Sequence, residues 1–124
     1  MGAVVRAAVR AFFACLMAVS FTSEGFAAGA MAIGKCGAYG YAFDYARTAG
    51  AEKAARAKCH GDCRTVAMNR ACAALSIDMR NPCGAHGYAV QPKISAALNT
   101  ASEQCHKNGG KDCVIRAFVC DARG

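Results

Sequence analysis

The most reactive side chains in this sequence are its nine cysteines, and two of them directly precede a histidine: Cys59-His60 is followed by Cys63, and Cys105-His106 by Cys113. Thiolate and imidazole are good zinc ligands, so each set admits a metal reading. The spacing is not that of a two-residue cysteine pair, however, and exported thiols are normally oxidised. A histidine just past a helix also meets the last carbonyls and the negative end of the helix dipole. Disulfides with capping histidines are therefore preferred to a metal, and no cofactor is expected. No Cys-x-x-Cys-His occurs, which leaves covalent haem without an attachment point.

Hydrolytic chemistry finds equally little support. Neither Gly-x-Ser-x-Gly nor His-Glu-x-x-His is present. Past the amino terminus the acids are Asp44, Glu52, Asp62, Asp78, Glu103, Asp112 and Asp121. Glu52 and Glu103 are expected on exposed helix faces, while Asp62 and Asp112 precede cysteines in turns that favour Asp. Nothing in this pattern marks two carboxylates facing one another across a cleft, as glycoside hydrolysis requires. The expectation is a protein that is not an enzyme, with no catalytic residue to assign.

The cysteine count becomes intelligible from the amino terminus. Arg6 and Arg10 precede the apolar run Ala11 to Phe21, and small residues follow Glu24, the arrangement of a secretory leader over residues 1–27. The run falls short of the roughly 20 residues that cross a bilayer as a helix, so no transmembrane segment is expected after its removal. Cleavage is expected between residues 27 and 30, since Ala28-Gly29-Ala30 is a formal site just beyond Ala27. Cys15 sits inside the apolar run, which continues through Val19, whereas a lipidated cysteine would close it; Cys15 is expected to leave with the leader. Eight cysteines then remain: Cys36, Cys59, Cys63, Cys72, Cys83, Cys105, Cys113 and Cys120. An even set in a short exported chain reads as four disulfides in a periplasmic or secreted protein. Their spacing alone allows about a hundred pairings.

The chain has 124 residues, with 15 Lys plus Arg against 8 Asp plus Glu. This length allows one domain, and the basic balance survives loss of Arg6, Arg10 and Glu24. The cations are dispersed over Lys53, Arg56, Lys58, Arg64, Arg70, Lys107 and Lys111. Export and the absence of interleaved aromatics argue against nucleic acid, leaving anionic envelope material as the natural counter-surface.

The elements that must position these groups occur twice. Cys36-Gly37-Ala38-Tyr39-Gly40-Tyr41-Ala42 matches Cys83-Gly84-Ala85-His86-Gly87-Tyr88-Ala89 at all but one position, and the three following cysteines recur in the same order. We read one duplicated domain over residues 31–124, with one unit at about 31–79 and the other at about 80–121. Two units are too few for a solenoid, and each alone would have a marginal core.

Within a unit the pattern changes from period two to helical. Tyr39, Tyr41, Phe43 and Tyr45 alternate with small or acidic residues, which predicts a strand with one aromatic face and makes these four the candidate binding face. Thr48 is the expected cap of a helix ending near Cys59, with Glu52 and Arg56 spaced for pairing and Ala51, Ala55 and Cys59 as its apolar stripe. Ser95 takes the cap role in the second unit, with Ala97, Leu98, Ala101 and Cys105 as the stripe. Arg64 to Cys72 and Val114 to Cys120 read as strands. Ala73 to Met79 is a further strand, folded back by Arg80-Asn81-Pro82 onto Ala85 to Val90, and Met31 to Lys35 is expected to pair with the strand after Cys36. The order is β, β, α, β, β, β, α, β. The fold class expected is a small disulfide-rich α+β domain: one mostly antiparallel sheet with two helices on one face, built from two pseudo-symmetric repeats. In such units Cys36, Cys59 and Cys63 lie at one end of the first and Cys72 nearer the other, and the equivalent cluster of the second is Cys83, Cys105 and Cys113, with Cys120 apart.

The opening heptapeptide, the alanine-rich helix ending in Cys59, Gly61-Asp62-Cys63 and Asn69-Arg70-Ala71-Cys72-Ala73-Ala74-Leu75 together resemble the domain-of-unknown-function family 4189. The resemblance runs over Met31 to Asp121. It implies a small exported bacterial domain without an assigned activity, so it transfers no catalytic residue. The function expected is a binding or interaction module contacting an anionic envelope component or another protein. The alternative is a secreted inhibitor or effector acting on another protein.

Overall fold

A computed structural model describes residues 27–121. The leader and Cys15 lie outside the described residues. Six strands and two helices follow in the order β1 (Ala28–Ile33), β2 (Tyr39–Tyr45), α1 (Thr48–Ala57), β3 (Arg64–Asn69), β4 (Cys72–Asp78), β5 (His86–Gln91), α2 (Ile94–Lys107) and β6 (Cys113–Cys120). β1 begins at Ala28, three residues before the expected start of the domain.

The strands form two sheets rather than one. β2-β1-β3 and β5-β4-β6 are each three-stranded and antiparallel throughout. β4, which the spacing of the cysteines groups with the first unit, is the central strand of the second sheet. The helices are accordingly on opposite outer faces, α1 on the first sheet and α2 on the second, not on one face. The result is four layers in the order helix, sheet, sheet, helix.

The residues of the two central strands explain this layering. β1 reads Ala-Gly-Ala-Met-Ala-Ile and every residue is buried; Met31 and Ile33 point one way and Ala28, Ala30 and Ala32 the other. β4 repeats the division, with Leu75 and Ile77 opposite Cys72, Ala74 and Ser76. The bulky faces meet between the sheets, where Met31, Ile33, Met68, Leu75, Ile77 and Val119 form the main core. The small faces take the helices: Ala30, Ala32 and Ala42 pack on Ala51 and Ala55, and Ala74 and Ala89 on Ala97 and Ala101. One sheet cannot bury both faces of its central strand with helices on a single side, so a second sheet is required.

Two glycines of the matching heptapeptides set how closely the helices sit. A Cβ at Gly40 would collide with the Ala55 carbonyl of α1, and one at Gly87 with the Ala101 carbonyl of α2. The shared Gly is thus a helix-docking position.

Neither expected cap is formed. Thr48 and Ser95 lie inside their helices, and the residues at the N-cap are Arg47 and Lys93, without side-chain capping bonds. Arg47 and Lys93 instead supply the carbonyls that accept the N–H groups of Ala51 and Ala97. Arg56 reaches the Thr65 hydroxyl at 3.4 Å.

Four disulfides complete the frame: Cys36–Cys83, Cys59–Cys63, Cys72–Cys120 and Cys105–Cys113. Cys59–Cys63 and Cys105–Cys113 tie the end of each helix to its following strand. Cys72–Cys120 joins the facing ends of β4 and β6 beneath the start of α2. Cys36–Cys83 alone among the four joins the first sheet's half to the second's.

Candidate binding groove between β2 and β6

The cystines decide what the Cys-His sets can do. Cys59 is bonded to Cys63 and Cys105 to Cys113, so in this oxidised form none of the four offers a thiolate to a metal. His106 stands in the last turn of α2, not after it, and its Nδ1 lies 3.2 Å from the Gly110 carbonyl oxygen. His60 follows α1 by three residues and is exposed.

The carboxylates are dispersed. Glu103, Asp62 and Asp112 are exposed and Glu52 is half-buried. Two that sequence reasoning left unassigned are buried and structural. Asp78 accepts the backbone N–H groups of Arg80 at 3.0 Å, Asp112 at 3.2 Å and Lys111 at 3.4 Å. The Arg80 N–H, helped by those of Lys111 and Asp112 and opposed by burial, holds its carboxyl below the usual Asp range. Asp78 thereby fastens the β4–β5 turn to the loop before β6. Asp121 is fully buried, and its Oδ1 accepts the backbone N–H of Asp44 at 3.0 Å.

The aromatic stripe of β2 divides along its length. Tyr39 is half-buried and packs against the core between the sheets. Tyr41 is 36% exposed and Phe43 48%. Their rings continue from Tyr39 as a ladder, with centroids 6.3 Å apart for Tyr39 and Tyr41 and 6.4 Å for Tyr41 and Phe43. Tyr45 leaves this face. β2 bulges between Ala42 and Tyr45, where Asp44 adopts a φ of 60°, and the extra residue turns the Tyr45 ring over Gly50 at the start of α1. Strict alternation could not reveal this, because one inserted residue reverses every side chain beyond it.

Four residues of β6 complete a groove that the aromatic stripe alone did not indicate. Among the contacts between sheets, those of β2 run to β6. Tyr39 and Tyr41 together with Ile115, Arg116, Ala117 and Phe118 line a shallow depression of about 420 Å³. Phe118 is 57% exposed. The Arg116 guanidinium carbon lies 5.3 Å from the Tyr39 ring centroid, and its Nε donates to the Gly37 carbonyl at 3.2 Å. β6 also bulges at Arg116, so both walls of the groove are bulged strands, whereas the ladders to β3 and β5 are regular. Val114 to Cys120 is read as a strand from its sequence, but the bulge hides which of its side chains face the groove, since Val-Ile-Arg-Ala-Phe-Val has no clean alternation. Bulges re-aim side chains at sheet edges beside functional sites.

The dispersed cations named above are all exposed. Lys58 donates from Nζ to the Tyr41 carbonyl at 3.1 Å, covering the open edge of β2 against strand addition. Among the described residues, no helix is long and apolar enough to cross a membrane.

Fold and groove together define a small disulfide-stapled α+β domain whose Tyr41, Phe43 and Phe118 rings and one aligned guanidinium gather along a single sandwich edge. The chain belongs to the family described as a domain of unknown function (DUF4189), whose model matches residues 28–120. No curated protein and no solved structure matches it.

Proposed function

We propose that the protein is an exported, non-enzymatic binding module of the cell envelope or extracellular space that holds an anionic envelope polymer in the β2–β6 groove. The observation that carries this reading is the placement of Arg116. Its guanidinium is held against Tyr39 and Gly37 at the head of an exposed ladder of Tyr41 and Phe43. Aromatic faces offer apolar contact to a polymer and the guanidinium offers paired donors to an acidic group. Lys58 closes the β2 edge, which favours a ligand held by side chains over a peptide added as a strand. The four disulfides support an oxidising compartment, and the leader-like sequence of residues 1–27, two arginines ahead of an apolar run, supports the route to it.

The test is retention of the oxidised protein on purified envelope material across a salt series. Retention that falls as salt rises, and that falls further for Arg116→Gln, supports the reading. Retention equal at low and high salt removes its electrostatic basis.

A further inference from the structure

The end of the sandwich that carries the β1–β2 turn holds a second, independent feature. A pocket of about 240 Å³ opens there between the sheets, walled by Ile33, Leu75 and Ile77 and, at its mouth, by the Cys36–Cys83 bridge, Lys35 and His86. The four bridges differ in exposure. Cys59, Cys63, Cys72 and Cys105 are buried, so each of the other three bridges has at least one half shielded. Cys36 and Cys83 are both exposed.

We propose that Cys36–Cys83 is a thiol-exchange site, at which a small external thiol enters the pocket mouth and forms a mixed disulfide. Exchange requires an attacking thiolate to reach a sulfur of the bridge, and exposed bridges are the labile ones. Lys35 and His86 add cationic or hydrogen-bonding capacity at the mouth, where both the incoming and the departing sulfur carry negative charge. The external thiolate bonds to one sulfur, the Cys36–Cys83 bond breaks, and its electron pair leaves on the other sulfur, which takes a proton from water. A second thiol resolves the mixed disulfide. Cys36 and Cys83 end as thiols and the two external thiols as their disulfide. Because this is the one bridge between the two sheets' halves, exchange frees the mouth of the pocket while leaving each sheet stapled.

The wild-type protein, treated with limiting reduced glutathione, alkylated and mapped by peptide mass, tests this directly. Cys36 and Cys83 should label about tenfold faster than the other six cysteines. Earlier labelling at Cys59–Cys63 or Cys105–Cys113, or equal labelling at all four bridges, overturns the proposal. A Cys36→Ser variant exposed to oxidised glutathione should gain one glutathionyl group on Cys83. A folded variant without that adduct also overturns it. Should the variant not fold, the wild-type labelling order decides alone.

Discussion

The Asp121 carboxylate, at the end of the second sheet, accepts the backbone N–H of Asp44 in the first, at 3.0 Å. The donor is the residue that the β2 bulge pushes out of its ladder, so the bond satisfies a group that regular pairing would have satisfied. Asp121 in turn donates its own N–H to the Ala71 carbonyl at 2.8 Å, which fixes it beside the chain crossing between the sheets. Asp121→Ala should cost about 1.5–3 kcal/mol, the range for a hydrogen bond to a charged group. Hydrogen exchange at the Asp44 amide should quicken more than at β4, and a urea midpoint equal to wild type would remove this role for Asp121.

Asp78 makes a pH-dependent contribution whose sign follows from its depressed carboxyl. The ordinary Asp value is 3.8 and the folded carboxyl lies below it. Well above 3.8 the carboxylate is ionised in both states and its stabilisation is complete. As pH falls further the unfolded chain binds the proton first, and the contribution is lost down to the folded pKa. The Tm gap between wild type and Asp78→Asn should therefore be constant near neutrality and shrink below that point. A gap that widens in acid would reverse the assignment.

Helix docking through Gly40 and Gly87 predicts an unusual cost for the smallest enlargement. Gly40→Ala or Gly87→Ala should destabilise by about 1–3 kcal/mol through overpacking, because the added methyl meets helix backbone that has no flexible end to yield. Equilibrium unfolding in urea measures it, and a neutral or stabilising result at both positions would mean that the helices shift outward freely.

Groove residues should separate binding from stability. Tyr41→Ala and Phe118→Ala remove exposed rings and should alter unfolding free energy by no more than about 0.5 kcal/mol. Retention on envelope material should nevertheless drop for both. Tyr45→Ala, whose ring lies over Gly50 beyond the bulge, is the internal control and should retain binding.

The pairing of β1 gives the expected processing a testable outcome. Cleavage after Ala30 would remove half of β1, whose Ala28 and Ala30 pair with both β2 and β3. Cleavage after Ala27 leaves the strand whole. Intact mass of the exported protein should show a start at Ala28 and eight oxidised cysteines, and a start at Met31 would contradict this account.

The element order was legible because local signals mark it: the alternation of Tyr39 to Phe43, the alanine stripes of Ala51 and Ala97, the Pro82 turn. The layering was not read, although a trace of it stands in β1 and β4, where small and bulky residues alternate within wholly apolar strands. Such a strand has two buried faces of different depth, one for a helix and one for a second sheet. Thr48 and Ser95 misled because capping preference is weak beside the position at which the helix docks. Arg116 and Phe118 stayed hidden because a groove between sheets depends on which edges face one another, and two bulges erase the local pattern at both.

The two-faced character of β1 has a consequence for the newly made chain. Once residues 28–69 are free to fold, β1, β2, β3 and α1 can close as a unit, with the alanine face covered and Cys59–Cys63 within reach. The opposite face, Met31, Ile33, Val66 and Met68, then has no cover until β4 and its neighbours arrive. The half-folded molecule is thus a sticky intermediate, and its greatest exposure to aggregation falls in the interval before the second half docks.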